Sequence, residues 1–395
     1  MTVVTGLDSI KQGSGWSEKF PGKVGYVAHA ASVDQQLQHG ISIFKETFGS
    51  KFTKIFSPQH GLVGDVQDNM IESDHFHHPY FDLPVYSLYS ETRKPTPEML
   101  SGLDHVFVDL QDVGTRIYTY IYTMTYMMEV CAALDIEVII LDRPNPINGL
   151  QLEGNMLEPA FTSFVGRHPL PVRHGMTIGE VAIMANRFWE INCRLEIIPM
   201  KGWDRAMYFD QTGLPWVLPS PNLATLDAAL TFPGTVLFEG TNLSEGRGTT
   251  RSLETIGHPA IEPYGLLGTL NQLFSGYQLE GFTLRPVNFI PTFQKHQDKV
   301  CGGYQIHVTN ATKFQPWKVG QLLCHTLYHE LGEDFNWKQP PYEYEYDKMP
   351  IDILNGSDKL RLWVENKGAY EELLQIETVG RTEFEEKRKT VLLYD

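Results

Sequence analysis

The 395-residue chain lacks the usual phosphate cradles: no Gly-x-Gly-x-x-Gly follows its first strand-like run, and no Gly-x-x-x-x-Gly-Lys-Ser/Thr occurs anywhere. A doubly wound sheet built from it need not hold a nucleotide, and no cofactor is expected. Cations are scarce, 32 Lys and Arg against 48 Asp and Glu for a formal net charge of −16, which disfavours nucleic acid and anionic membranes as general partners. The four cysteines, Cys131, Cys193, Cys301 and Cys324, form no Cys-x-x-Cys pair and no zinc-finger spacing, and read as buried free thiols. His75, His77 and His78 have no acidic or cysteine ligand pattern beside them, and His329-Glu330 lacks the second His of His-Glu-x-x-His. A solvated loop is the reading for the first group, and no metal is expected. No run approaches ~18 consecutive apolar residues, so no membrane span is expected. The first ten residues have neither the basic start nor the apolar stretch of a secretory signal. As it stands the sequence reads as cytoplasmic, or as periplasmic or secreted if a leader was removed.

What is present is a recurring edge, where an apolar strand-like run turns abruptly into hydrogen-bonding side chains. Ile55 to Met70 is the densest case, with Pro58 and Gly61 breaking a strand before Gln59, His60, Asp65, Gln67, Asp68 and Asn69. His105 to Arg116 ends in Asp109, Gln111, Asp112 and Arg116, and Val138 to Pro146 ends in Asp142, Arg143 and Asn145. Val236 to Thr250 repeats the pattern with Glu239, Asn242, Glu245 and Arg247. In an open α/β sheet the crevice beyond the carboxyl ends of the strands is where ligands bind.

Strands are predicted at Lys23 to Ala28, Lys54 to Phe56, His105 to Leu110, Glu137 to Leu141 and Leu195 to Pro199, alternating with helical patterns. That alternation predicts a parallel sheet with helices on both faces. Thr96-Pro97 reads as an N-cap and first helical position, Tyr118 to Ala133 as a long apolar helix, and Thr177-Ile-Gly-Glu180 as a capping box. The chain is too long for one ordinary core, which stops growing at roughly 250–300 residues. From Gly257 the order becomes helix (Leu266 to Phe274), strand (Phe282 to Phe289), strand (Gly303 to Val308), helix (Lys318 to Leu331), closed by Gly332 and followed by a charged helical tail. The expected fold is a mostly parallel α/β domain over 1–256 and a smaller α+β domain over 257–395.

Glycoside hydrolysis usually needs one carboxyl to protonate the leaving oxygen and another to attack or stabilise the cationic centre. Asp65, Glu72, Asp109, Asp112, Asp142, Glu239 and Glu245 all fall at the expected strand ends. Any one of them could equally be a loop cap or the partner of Arg116, Arg143 or Arg247. Tyr118, Tyr122 and Tyr126 recur at helical spacing, as core aromatics do, yet Tyr118 and Tyr120 sit at a loop edge where a ring could stack on a sugar. In Ser244-Glu-Gly-Arg-Gly-Thr249 the glycines serve either an anion or only turn geometry.

With these residues in view, the chain resembles the exo-β-N-acetylmuramidases, a family of peptidoglycan glycosidases formerly known as a domain of unknown function. The resemblance spans nearly the whole chain. It rests on Ser57-Pro-Gln-His-Gly61, Asp109-Leu-Gln-Asp-Val-Gly-Thr-Arg116 with Tyr118-Thr-Tyr-Ile-Tyr-Thr-Met124, Leu141-Asp-Arg-Pro-Asn-Pro146, Phe164-Val-Gly166, Arg173-His-Gly-Met-Thr-Ile-Gly-Glu180, Leu218-Pro-Ser-Pro-Asn222, Glu239-Gly-Thr-Asn242 and Ser244-Glu-Gly-Arg-Gly-Thr-Thr250. It implies a Rossmann-like domain carrying most of the site, a smaller C-terminal α+β domain closing a cleft, and release of N-acetylmuramic acid from non-reducing ends, with muropeptides or MurNAc-GlcNAc saccharides as partners and no cofactor. Arg116, Arg143, Arg173 and Arg247 become candidates for the lactyl carboxylate, since a guanidinium binds carboxylates bidentately. His174 and Asn222 join the substrate-binding set with Asp65, Gln67, Asn69, Tyr118 and Tyr120.

One departure stands out: many members carry glutamate before the motif histidine, and here it is Gln59. An amide cannot act as the acid. Either Glu72 has taken the role, or the acid is another carboxyl such as Asp112 or Glu239, or the protein binds muramyl sugars without cleaving them, as a muropeptide binder or sensor would. The expected assignment makes Glu72 or Asp112 the acid/base, with His60 and Gln59 orienting water or the 2-acetamido group. That acetamido oxygen can itself serve as nucleophile, as in substrate-assisted hydrolases.

Overall fold

A computed structural model describes residues 2–395 apart from Val66 and Asn69. Twelve strands are present among them: β1 (Val24–Ala28), β2 (Phe52–Ser57), β3 (Phe76–His78), β4 (Leu83–Ser87), β5 (His105–Asp109), β6 (Glu137–Leu141), β7 (Glu153–Met156), β8 (Pro171–Arg173), β9 (Leu195–Ile198), β10 (Thr255–His258), β11 (Phe282–Phe289) and β12 (Cys301–Val308). Seven form one sheet in the order β3-β4-β2-β1-β5-β6-β9, parallel except for the edge strand β3. The central strands are buried along their whole length because helices cover both faces, so β1 and β5 read as continuous runs rather than alternating ones. From β1 the order runs one way to β2 and the other way to β5, which makes the ends of these strands the switch point of the sheet.

The helix Tyr120–Ala133 lies against one face and is buried nearly all round, since the second half of the chain packs over it. Val106, Tyr122, Phe232, Trp317, Ile351 and Trp363 belong to one continuous apolar cluster, while Phe44, Phe52, Phe107 and Ile139 belong to the cluster on the opposite face. Each such side chain contributes about 1.5–3 kcal/mol by leaving water. The second half carries the antiparallel sheet β10-β12-β11 and the helix Pro316–Leu331. That helix crosses Leu226–Thr235 at Gly320 and Gly234, where a Cβ on Gly320 would lie 2.2 Å from the Gly234 carbonyl oxygen.

The predicted strands, the Thr96 cap, the Thr177–Glu180 capping box and the four buried thiols are all present. The helix expected from Tyr118 begins at Tyr120, after a turn that carries Tyr118 and Thr119. Two expectations are corrected. Val236 to Glu239 is not a strand end: the helix Leu226–Thr235 tightens into a 3₁₀ turn over Val236–Gly240, because Pro233 and the close crossing at Gly234 stop a regular continuation. His77 and His78 lie in edge strand β3 rather than in a loop, with His77 paired to Asp82 and His75 accepting the Ser87 N–H. No group of three metal-ligating side chains is found among the described residues, and no helix there is long and apolar enough to cross a membrane.

Candidate active site

The segments that follow β2 and β5 converge on one recess. After β2 the chain turns sharply, with His60 and Gly61 both left-handed at φ 71° and 76°, and this presents Gln59 and His60 inward. A non-glycine residue in that region costs on the order of 1–3 kcal/mol, a strain typical of functional turns. Gln59 is buried, and its carbonyl accepts from Thr119 Oγ1 at 3.0 Å. Tyr118 and Tyr120, 4.6 Å apart between ring centres, form the adjacent wall, and Tyr120 donates to the Pro219 carbonyl at 2.7 Å. Ser220 and Asn222 close one side, and Glu239, Arg247, Tyr342 and Glu343 come from the second half.

Two cavities meet here. The inner one, about 50 Å³, has a floor of Ile117, Val165, Phe232 and Leu253. The outer one, about 420 Å³, lies between Asp68, Met70, Gln294, Trp337 and Lys338, and Glu239 lines both. The loop after β2 reaches over this space: Asn222 Nδ2 donates to the Gln67 carbonyl at 2.7 Å, and Gln294 donates to Asp68.

Glu239 forms an ion pair with Arg247 and accepts from the Tyr342 phenol at 2.6 Å. Glu245 lies 2.9 Å from Arg247 Nε and accepts from Lys295 Nζ at 2.7 Å. Burial works against charge on Glu245, but Lys295 and Arg247 outweigh it and hold its carboxyl below the usual range. Lys295 also donates to the Phe238 and Leu243 carbonyls. Among the described residues lining the two cavities, Lys338 is the cation with no carboxylate within ion-pair distance; its ammonium lies 5.2 Å from the Tyr342 ring centre.

Glu343 is the residue that sequence reasoning missed. It is buried, lines the inner cavity and accepts from Tyr89 Oη at 2.9 Å. Burial first, then the nearby Glu239, push its carboxyl up to about 7, against the opposing pull of Tyr89, Arg93 and Gln59. Glu343 and Tyr344 are consecutive left-handed residues at φ 43° and 66°. The only sequence signal was local: a Pro-Pro pair followed by a Tyr-Glu repeat, outside any periodic element.

The other anticipated residues lie apart from the cavities or serve to build them. Glu72 is half exposed, within 3.2 Å of Arg93 Nη1, and accepts from the Tyr344 phenol at 2.9 Å. Asp112 is buried, accepts the Gly114 N–H at 2.7 Å, and stands 3.5 Å from His174 Nε2. Asp65 is exposed, and Asn69 lies outside the described residues. Asp109 takes both arms of Arg143 at 2.5 and 3.0 Å as well as the Tyr26 phenol. Asp142 caps the helix Ile178–Phe188 through Gly179 N–H and Thr177 Oγ1, and burial raises its carboxyl from the ordinary range. Gln111 donates to the Asp112 and Pro144 carbonyls, Asn145 to that of Met176, and Asn242 to that of Asp334.

Of the four arginines, Arg116 donates to the carbonyls of Asn155, Leu170, Leu354 and Asn355, stitching the two halves together. Arg173 is held by Glu153 at 2.9 Å and by the Ile147 carbonyl. Arg247 alone of the four lines the cavity, and it is already paired. The glycines of its loop serve geometry: Gly246 and Gly248 are left-handed, and a Cβ on Gly248 would lie 2.7 Å from Thr292 N.

Sheet and recess together define a doubly wound α/β protein with a carboxyl-lined, tyrosine-walled cleft at its topological switch point. Residues 24–227 match the family described as exo-beta-N-acetylmuramidase NamZ, N-terminal, and residues 230–394 match its C-terminal counterpart. The chain therefore belongs to the exo-β-N-acetylmuramidase NamZ family. It is 41% identical over 393 residues to the peptidoglycan beta-N-acetylmuramidase NamZ of Bacillus subtilis (strain 168), covering 99% of this chain and 91% of that protein. Two crystal structures of DUF1343 family proteins from Bacteroides fragilis NCTC 9343 share the fold over 100% of this chain and 99% of theirs. One has a TM-score of 0.87 at 30% identity and the other 0.72 at 27%.

Proposed function

We propose that this chain is a glycosidase, an exo-β-N-acetylmuramidase that releases N-acetylmuramic acid from the non-reducing ends of peptidoglycan fragments in cell-wall turnover or recycling. The observation that carries the reading is the position of Glu239, on the seam between a cavity of about 420 Å³ and a recess of about 50 Å³. The first is of the size that takes a hexopyranose, and the second takes only a substituent. A muramyl ring in the outer cavity directs its 2-acetamido group into the recess, where the methyl meets Ile117, Val165 and Phe232. There the acetamido oxygen can close on C1, with Glu239 beside the developing positive charge. Lys338 takes the lactyl carboxylate, the group that separates muramic acid from glucosamine, while Arg247 and Lys295 hold Glu239 and Glu245 in place. In this reading residues 1–256 carry most of the site and 257–395 close it, supplying Trp337, Lys338, Tyr342 and Glu343.

A non-catalytic muropeptide binder is the second reading, favoured by the amide at Gln59. Product analysis separates the two. Incubation with MurNAc-GlcNAc saccharides and with peptide-bearing muropeptides, followed by mass spectrometry, is expected to yield free N-acetylmuramic acid. Saturable binding with no product would replace the enzyme by the binder.

A further inference from the structure

Among the described residues lining the inner cavity, two are carboxyls, and they are held differently. Glu239 stands in an ion pair with Arg247. Glu343 accepts from a neutral phenol, Tyr89 Oη at 2.9 Å, and meets the neutral amide of Gln59. When two neighbouring titratable groups have environments this unequal, the one bonded only to neutral donors is the one suited to keep its proton. Gln59 faces the same cavity from the end of β2, but an amide has no proton to give in acid catalysis.

Resting on the muramidase reading above, we infer that Glu343 is the general acid of this chain, delivering its proton to the glycosidic oxygen beside the amide of Gln59. As the C1–O bond breaks, its electron pair stays on the leaving oxygen, which takes the proton from Glu343. Water then adds its oxygen to C1, and the proton it loses restores the Glu343 carboxyl by the end of turnover. The raised carboxyl, at about 7, keeps a proton available near neutrality.

A clamp holds Glu343 in this position. The Arg93 guanidinium lies 4.3 Å from the ring centre of Tyr89 and 3.7 Å from that of Tyr344. Glu72 ties the outer side of the clamp, to Arg93 and to the Tyr344 phenol. The Glu343 N–H points to Met70 Sδ at 3.4 Å, so the loop after β2 touches the same turn. Glu72 is thus a positioning residue for Glu343 rather than the acid itself. The charged and titratable groups around Glu343 are Tyr89, Glu239 and Arg93, with Tyr342 next in the chain.

The test compares Glu343→Gln with the unaltered chain on two substrates, the MurNAc-GlcNAc disaccharide, whose leaving oxygen needs a proton, and a dinitrophenyl β-N-acetylmuramide, whose leaving group does not. The expected loss is about 100-fold or more on the disaccharide and less than about tenfold on the aryl glycoside, with the alkaline limb of the pH profile abolished. Equal losses on both substrates, or a retained rate with an unchanged profile, would overturn the assignment. If Glu343→Gln does not fold, Glu343→Asp is read the same way, since a retracted carboxyl also slows the disaccharide more than the aryl glycoside; equal slowing overturns it. An unaltered chain that cleaves neither substrate would sink the muramidase reading instead, a result distinct from either.

Discussion

The phenol of Tyr89 donates to the carboxyl of Glu343 at 2.9 Å, joining the chain just beyond β4 to a turn 254 residues later. This bond holds Glu343, which lines the inner cavity together with Gln59, and favours its carboxylate form. In Tyr89→Phe the ring still stacks under Arg93 while the donor is gone, so Glu343 moves further above about 7. The alkaline limb of kcat/KM on the disaccharide is expected to shift to higher pH, with a rate at pH 6 within about tenfold of the unaltered chain. A pH–rate profile checks this, and a limb that stays put or moves down counts against it.

Lys338 is the prediction for substrate choice. Lys338→Met removes the unpaired cation of the outer cavity without disturbing Glu239 or Arg247. An exposed-to-half-buried ion pair is worth about 1 kcal/mol, so KM for a muramide should rise about five- to tenfold with kcat little changed. A fall in kcat at constant KM would place Lys338 elsewhere in the mechanism.

Arg116 holds the two halves together, and its loss should be felt in stability. Arg116→Met takes a charged donor from four buried main-chain carbonyls, of which Leu170 and Asn355 keep a second donor in the Leu157 N–H and Asn155 Nδ2. The cost is on the order of 3–5 kcal/mol, read as a lowered denaturation midpoint. Gly356→Ala should act in the same direction, because Gly356 is left-handed and a Cβ there would come within 2.9 Å of Arg116 Nη2. Both variants unfolding like the unaltered chain would refute the stitch.

Acid should destabilise the fold through His29. Its Nδ1 donates to the Pro219 carbonyl at 3.2 Å and its Nε2 accepts the Gln111 N–H at 3.0 Å, an arrangement that requires the neutral ring. Burial first, then Arg143, lower it to about 3. Between the unfolded value of about 6.5 and that figure the unfolded chain binds more protons, so stability rises with pH in this window. The contribution is fully present above about 6.5 and is lost as pH falls toward 3. By pH 5 the loss is about 2 kcal/mol. Urea midpoints at pH 7 and 5 measure it, and His29→Gln should flatten part of the difference.

The sheet was legible in the sequence because its central strands are short β-branched and aromatic runs ending in sharp breaks, as at Phe56 before Pro58 and at Leu141 before Pro144. Four first-half residues that line the recess, Gln59 and His60 after β2 and Tyr118 and Tyr120 after β5, could be found for the same reason. Glu343 could not, since Tyr342 to Tyr344 belong to no periodic element and reach the cavity only through a left-handed turn and contacts with Tyr89 and Glu239. The arginines were misleading in a different way. Arg116 and Arg143 do follow strand ends, those of β5 and β6, but whether a guanidinium faces a ligand or a carbonyl depends on residues more than 200 positions away, as with Arg116 and Asn355. Strands β3 and β4 escaped notice because His77, Pro84 and Tyr86 break any simple alternation at the sheet edge.

The most direct test of the account is release of chromophore from an aryl β-N-acetylmuramide, run beside the matching N-acetylglucosaminide with the purified chain. A preference for the muramide of about five- to tenfold or more in kcat/KM is predicted, because the cleft offers Lys338 to a lactyl carboxylate that the glucosaminide lacks. Equal cleavage of both would contradict the recognition proposed here, and cleavage of neither, with N-acetylmuramic acid still bound, would leave a binding protein in place of the enzyme.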